Sequence, residues 1–231
     1  MMEPRESLSL PENEDPNTNK VDLGVGVYRD NDGNTPILDS VLEAQRRHNE
    51  QESTKSYIGP PGEAEFNRAV QALLFGTNSS VLATGRVSSA QTPGGCGALR
   101  VAAELIDRAQ PGATIWVSDP TWANHVPLLS DAGLAIKSYP YFDRQTSGLL
   151  FDDMMATLDQ VSAGDLVLLH GCCHNPCGVE LNNEQWGDIA TLAANRGFTP
   201  FIDIAYQGLS AGIDEDAFGL RCIAEQVPEM L

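Results

Sequence analysis

The sequence predicts an α/β fold, a mostly parallel sheet with helices on both faces. Three observations carry this. From about residue 80 onward, strand, turn and helix patterns alternate, the order that builds parallel sheets. Asp165-Leu-Val-Leu-Leu169 is a continuous apolar run, as expected of a strand buried on both faces. The clusters with chemical character fall just past predicted strand ends, where ligands bind in such sheets.

Residues 1 to about 20 are polar and rich in Glu, Asn and Pro and read as an N-terminal arm. Residues 21–75 hold a short apolar stretch (Val21 to Tyr28), a Gly/Pro-interrupted segment and two helix-like runs. Residues 76–231 carry the alternation. A strand is predicted from about Arg86 to Gln91. Helix-period apolar positions then run through Leu99, Ala102, Ala103, Leu105 and Ile106, and Pro111-Gly112 stops them. Thr114-Ile-Trp-Val117 is a short strand closed by Ser118-Asp-Pro120, and Ala135 to Tyr141 is another. A helix follows from about Asn183 to Asn195, with Gly197 placed to end it. Thr199 to Ile204 forms the next strand. Asp214 to Glu225 reads as the next helix, acidic in its first turn as the helix dipole favours.

The charge balance excludes some function classes. With 32 acidic and 14 basic residues the formal net charge of this 231-residue chain is -18, which repels nucleic acid and anionic membrane surfaces. The apolar share of 42% suits a buried core. Five cysteines, an odd number with two adjacent, make a poor disulfide framework and point to a reducing, cytoplasmic compartment. The N-terminal segment lacks the apolar core of a signal peptide. No stretch reaches the roughly 20 apolar residues of a membrane span.

Four motifs carry chemistry. Thr92-Pro-Gly-Gly-Cys-Gly-Ala-Leu99 is a glycine-rich turn at a helix start, either an anion site built from free N–H groups or simply a tight turn. His170-Gly-Cys-Cys-His-Asn-Pro-Cys-Gly178 follows the strongest strand. Its residues Cys172, Cys173, His174 and Cys177 invite a metal-binding reading, but no second Cys/His pair stands at zinc-finger distance. The other reading displays Asn175 as a hydrogen-bond donor. Asp203-Ile-Ala-Tyr-Gln-Gly208 places a carboxylate at the end of an apolar strand, where it needs donors or a cation. That carboxylate either caps the next turn or meets a protonated ring nitrogen, with Tyr206 near enough to address the same ligand. In Ser118-Asp-Pro-Thr-Trp-Ala-Asn-His125, Trp122 is either core or a stacking platform for a flat ligand.

Taken together, Leu23-Gly-Val-Gly-Val-Tyr-Arg29, Thr92-Pro-Gly-Gly-Cys-Gly-Ala-Leu-Arg100, Asn175-Pro-Cys-Gly178 and Asp203-Ile-Ala-Tyr-Gln-Gly208 resemble, in order, the motifs of the class I aspartate/aromatic aminotransferases. The resemblance runs from about Lys20 to the C-terminus. It implies the large domain of the type I fold of pyridoxal-phosphate (PLP) transferases, incomplete at the C-terminus, with residues 21–75 contributing to a small domain and a dimer interface. It also implies PLP as cofactor, amino acids and 2-oxo acids as substrates, and a homodimer. Asp203 would pair with the ring N–H. Asn175 and Tyr206 would hydrogen-bond the phenolic oxygen, and Trp122 would stack on the ring. Gly94, Gly95 and Cys96 would cradle the phosphate, joined by Tyr57 from a partner subunit. Gly26, Trp122 and Asn175 would serve the substrate, and His125 and His170 would stand behind Asp203.

The chain departs from the family in three places. Cys96 and Cys177 replace residues that are usually hydroxyl-bearing, and a thiol is a weaker donor. The family's Schiff-base lysine belongs to a Ser-x-Ser-Lys-like segment on the strand after the helix ending near Gln226. Of Lys20, Lys55 and Lys137, none matches it. The expectation is therefore an aminotransferase sequence, most simply a fragment, that is catalytically silent alone. The rivals are a binding-only descendant of the family and, more remotely, a Cys/His metal module.

Overall fold

The computed structural model describes residues 27–231. Its elements in chain order are α1 (Asp39–Gln51), α2 (Ala64–Phe75), α3 (Ser80–Ala83), α4 (Gly94–Ala109), β1 (Thr114–Asp119), α5 (His125–Ser130) and β2 (Ala135–Pro140). Then come β3 (Phe142–Asp143), β4 (Gly148–Leu149), α6 (Phe151–Leu158), β5 (Leu166–His170), α7 (Asn183–Arg196), β6 (Thr199–Asp203) and α8 (Phe218–Gln226). The chain divides into two compact units, one ending at Tyr57 and one spanning Ile58–Leu231. In the first, α1 buries none of its residues. Its surface is laced by pairs of Arg46 with Glu43 and Glu50, and of Arg47 with Glu43, one helical turn apart as such pairs require.

The second unit is built on a four-stranded sheet in the order β2-β1-β5-β6. Every pairing in it is parallel. Period-two alternation sorts the strand side chains into two cores. Leu166 and Leu168 of β5, Ile115 and Val117 of β1, and Phe201 of β6 pack with Leu99, Ala103 and Ile106 of α4 and with Leu129 of α5. Val167, Leu169 and Ile202 point the other way, into a core with Met154 and Leu158 of α6, Trp186, Ile189 and Ala193 of α7, and Leu220 and Ile223 of α8. Helices thus cover both faces, which is why β5 carries no polar residue before His170. The chain leaves β1 toward β2 on one side and returns to β5 on the other, so a crevice opens at the carboxyl ends of β1 and β5.

Local chemistry sets the element ends. Asn182 caps α7 by accepting from the Gln185 N–H at 2.9 Å, while the Gln185 side chain accepts from the Asn182 N–H at 2.9 Å. This reciprocal box satisfies two orphan donors. Gly197 ends α7 in the left-handed conformation at φ 75°, as its position in the sequence predicts.

Two predicted elements differ. Residues 86–91 form no strand, because this segment spends its hydrogen bonds elsewhere than on a ladder. Gln91 N–H donates to Pro61 O at 2.8 Å, Ser89 Oγ accepts from Gln71, and the Arg86 guanidinium donates to Ala224 O and Val227 O. The helix expected from Asp214 begins at Phe218 and has no acidic first turn. Asp216 is instead turned inward, accepting the backbone N–H groups of Gly208, Ser210, Ala211 and Gly212. The β3–β4 hairpin and α6 have no counterpart in the sequence reading.

At Gly219 of α8 a Cβ would overlap the indole of Trp186 on α7. Neither helix backbone can retreat from a ring that is itself buried. Gly219→Ala is expected to lower stability by about 2 kcal/mol, an overpacking cost that outweighs the better helix propensity of alanine. Urea denaturation of the two proteins measures it.

Candidate functional site

A cavity of ≈ 230 Å³ opens where the glycine turn meets the carboxyl ends of the strands. It is lined by Gly95, Cys96, Leu99, Trp122, His170, Cys172, Asn175, Asp203, Ala205 and Tyr206. Seven of the positions singled out in the sequence therefore meet in one place. Gly94 starts the helix beside them, and His125 lies behind with no exposed surface. Every lining residue belongs to the second unit. Tyr57 ends the first unit with its ring exposed, and Gly26 lies outside the described residues. Cys172, singled out only for the metal reading, also lines the cavity, as do Leu99 and Ala205, to which no site role was given.

The helix start supplies free donors. Gly94 has φ 69°, which a side-chain-bearing residue adopts only with strain, and its N–H is taken by Thr92 O at 2.9 Å. The N–H groups of Gly95 and Cys96 lie in the first turn, where no intrahelical acceptor exists, and no side chain caps the helix. A Cβ at Gly94 or Gly95 would meet nothing within 4 Å, so the space before these donors is open.

Behind the cavity a continuous hydrogen-bonded chain ends on Asp203. His125 Nε2 lies 2.8 Å from Asp203 Oδ2, Thr121 Oγ1 lies 2.7 Å from His125 Nδ1, and His170 Nε2 lies 3.2 Å from Thr121 Oγ1. One backbone N–H orients all of it. Asn175 N–H donates to His170 Nδ1 at 3.3 Å, so the His170 proton sits on Nε2 and is given to Thr121. That leaves the hydroxyl proton for His125 Nδ1, and His125 donates its Nε2–H to the carboxylate. The other oxygen, Asp203 Oδ1, accepts no hydrogen bond among the described residues. Thr121 joins two of the predicted histidines, and the sequence reading gave it no role. Thr121 lies before α5 in the segment that follows β1, and its only local signal is the four-residue spacing to His125.

Five rings pack in series, Trp122 and His170 lining the cavity and the others behind it. Trp122 and His125 meet edge to face at 5.3 Å, His125 and His170 at 5.1 Å, His170 stacks on His174 at 4.0 Å, and His174 stacks on Tyr141 at 4.1 Å. Trp122 also packs against the core beside α4, as the first of its two readings has it, and it lines the cavity as well. Burial, with the His174 and His125 rings beside it, holds His170 down to about 2. Burial is also the main force that lowers His174 to about 4. Both imidazoles are neutral at neutral pH.

The cysteines are not arranged as a metal site. His174 Nε2 meets Ser118 Oγ at 2.9 Å and its Nδ1 meets Cys177 Sγ at 3.1 Å. Burial pushes the Cys172 thiol up to about 12 and raises Cys173 and Cys177, which disfavours the thiolate a metal needs. Among the described residues no three His, Cys, Asp or Glu side chains converge on one point. The loop after β6, which carries Tyr206, is held by Asp216. Burial opposes ionisation of this carboxyl, yet the N–H groups of Ser210, Ala211, Gly208 and Gly212 bring it below the usual carboxylate range.

A carboxylate fixed by a buried imidazole, an indole face, an amide and a phenol, set before a glycine-rich helix start, form a site for a flat, protonated ring bearing an anionic group. Comparison with known proteins gives the family. The model of the family "Aminotransferase class I and II" matches residues 18–231, and the chain belongs to that family. It is 46% identical over 213 residues to the aspartate aminotransferase of Haemophilus influenzae, covering 92% of this chain and 54% of that protein. It is 47% identical over 217 residues to the aromatic-amino-acid aminotransferase of Paracoccus denitrificans, covering 94% and 54%. The crystal structure of the aromatic-amino-acid aminotransferase of Burkholderia pseudomallei, covalently bound to pyridoxal phosphate, superposes with a TM-score of 0.88 at 42% identity, covering 92% of this chain and 53% of that one. The chain thus spans about half the length of the relatives it matches, and pyridoxal phosphate is the cofactor found in the family.

The buried histidines give a pH signature. The unfolded chain binds protons near pH 6.5 that folded His170 and His174 refuse, so stability falls as pH drops through that value. The expected slope reaches about 1.4 kcal/mol per pH unit for each histidine between about pH 6.5 and 5. His174→Phe keeps a ring in the stack and should roughly halve the slope. Urea midpoints measured across that window test both.

Proposed function

We propose that this chain supplies the ring- and phosphate-holding part of a PLP-dependent transaminase site, which moves an amino group between an amino acid and a 2-oxo acid. The observation that carries the reading is Asp203, with one oxygen held by His125 and the other free in a cavity that also presents Trp122, Asn175 and Tyr206. The donor set fits the cofactor. When bound, PLP supplies an electron sink for charge developing at the amino acid's α-carbon.

The chain's own groups then have distinct tasks. The free oxygen of Asp203 would accept the ring N–H and favour the cationic ring, and His125 holds that carboxylate in place. Asn175 and Tyr206, whose side chains lie 3.5 Å apart, donate to the phenolic oxygen. Trp122 covers the ring face and excludes water. Gly95 and Cys96 N–H groups, with Gly94 leaving room, hold the phosphate. The cysteine adds only a weak S–H donor. Tyr57 would reach that phosphate from a partner subunit in a homodimer, residues 21–75 would contribute to the small domain and dimer interface, and Gly26 would lie near the substrate carboxylate. His170 orients His125 through Thr121.

Among the described residues no lysine lines the cavity, and Lys137 lies over the Trp116 ring at 4.9 Å. The 231-residue chain by itself is therefore expected to hold the cofactor without turning substrate over. Fluorescence titration with pyridoxamine 5′-phosphate should show saturable binding, weakened roughly tenfold or more by Asp203→Asn, because a charge-assisted hydrogen bond is lost. Equal affinity of the two proteins, or repeated transamination by the purified chain, would overturn the reading.

A further inference from the structure

Asn175 and Tyr206 come from different loops, one after β5 and one after β6, and their mutual contact is long at 3.5 Å. Something else must set their separation. Glu180 does so with its two oxygens. Oε1 accepts the Cys173 N–H at 2.7 Å, two residues before Asn175, and holds Cys173 in the left-handed conformation at φ 46°, an uncommon one for this residue type. Oε2 accepts the Ser210 hydroxyl at 3.1 Å, four residues after Tyr206. Ser210 N–H in turn donates to Asp216 Oδ2 at 3.1 Å, which ties the bridge to the carboxylate that shapes the second loop. Among the described residues, Ser210 is the one that hydrogen-bonds to both carboxylates. Each loop has a further anchor of its own, His174 to Ser118 in the first and Gln207 to Leu73 O in the second, and Glu180 adds the side-chain bridge between the two.

We propose that Glu180, through Ser210, is a positioning residue that fixes the gap between Asn175 and Tyr206, and with it their joint grip on the phenolic oxygen of the cofactor. The inference rests on the cofactor reading given above. Ser210→Ala deletes the bridge between the loops while leaving Cys173 N–H paired, so it separates the bridge from the fold of the first loop. Glu180→Ala removes both contacts. Glu180→Gln retains them, because its amide oxygen still accepts from Cys173 while its NH₂ donates to Ser210 Oγ.

The test uses the 231-residue chain and two ligands, pyridoxamine 5′-phosphate and its 3-deoxy analogue, which lacks the phenolic oxygen. Ser210→Ala is expected to weaken pyridoxamine 5′-phosphate by roughly five- to tenfold, about the worth of one well-made hydrogen bond, and to leave the analogue's affinity unchanged. Glu180→Ala should behave alike and Glu180→Gln should restore affinity. Thermal melting of each variant checks that the fold is kept. Unchanged affinity of Ser210→Ala, or an equal loss for both ligands, would overturn the positioning role while the cofactor reading stood. Failure of the unmodified chain to bind pyridoxamine 5′-phosphate removes the cofactor reading and this role with it, and it shows in the parent protein before any variant is compared.

Discussion

The hydrogen bond from His125 to Asp203 joins the segment that follows β1 to the end of β6, reaching past the end of β5 between them. A carboxylate at the end of an apolar strand is costly to enclose unless donors meet it. Here the donor is an imidazole with no exposed surface, so Asp203 has one oxygen committed and one available. The strand order makes this contact possible. The β5–β6 register sets His170 beside Asp203, and Thr121 closes the loop from His170 back to His125. Three strand ends are thereby tied into one polar chain.

That chain also runs through a series of packed rings, of which Trp122 and His170 line the cavity. His125, His170 and His174 use their edges for hydrogen bonds and their faces for packing, continuing through Trp122 at one end and Tyr141 at the other. Edge and face contacts of this kind add to burial energy without needing charge. Burial is the main force that keeps His170 and His174 uncharged. The neutrality of His170 is equally a condition of its donating a proton to Thr121 while accepting from Asn175 N–H.

Much of this was legible in the sequence, for identifiable reasons. β5 announced itself because burial on both faces leaves no polar position between Leu166 and Leu169. Gly197 is a local signal and fell where expected. Asp203, Asn175, Tyr206 and Trp122 stood out as polar or aromatic groups at strand ends, and they share one cavity. What escaped were features decided by distant partners. Arg86 to Gln91 has strand-like composition, but its polar groups are claimed by α2 and by the carbonyls after α8. Asp214 to Ala217 looks like an acidic helix start until Asp216 is seen gathering the loop N–H groups before it. Thr121 and Glu180 act across 49 and 30 positions, separations at which no residue pattern records a contact.

The neutrality of His170 has a consequence for how a guest is received. With that imidazole uncharged, Asp203 is the sole formal charge among the residues lining the cavity. Elsewhere on the same wall, the unpaired amides at the start of α4 present the positive end of a sixteen-residue helix. The slot is therefore polarised, with a negative site and a positive site. A zwitterion whose cation and anion lie on opposite sides of a flat body matches it in a single sense. Entering reversed, it would set like against like at both sites. The protein thus selects by polarity as well as by shape, and the direction of binding is fixed before any finer contact is made.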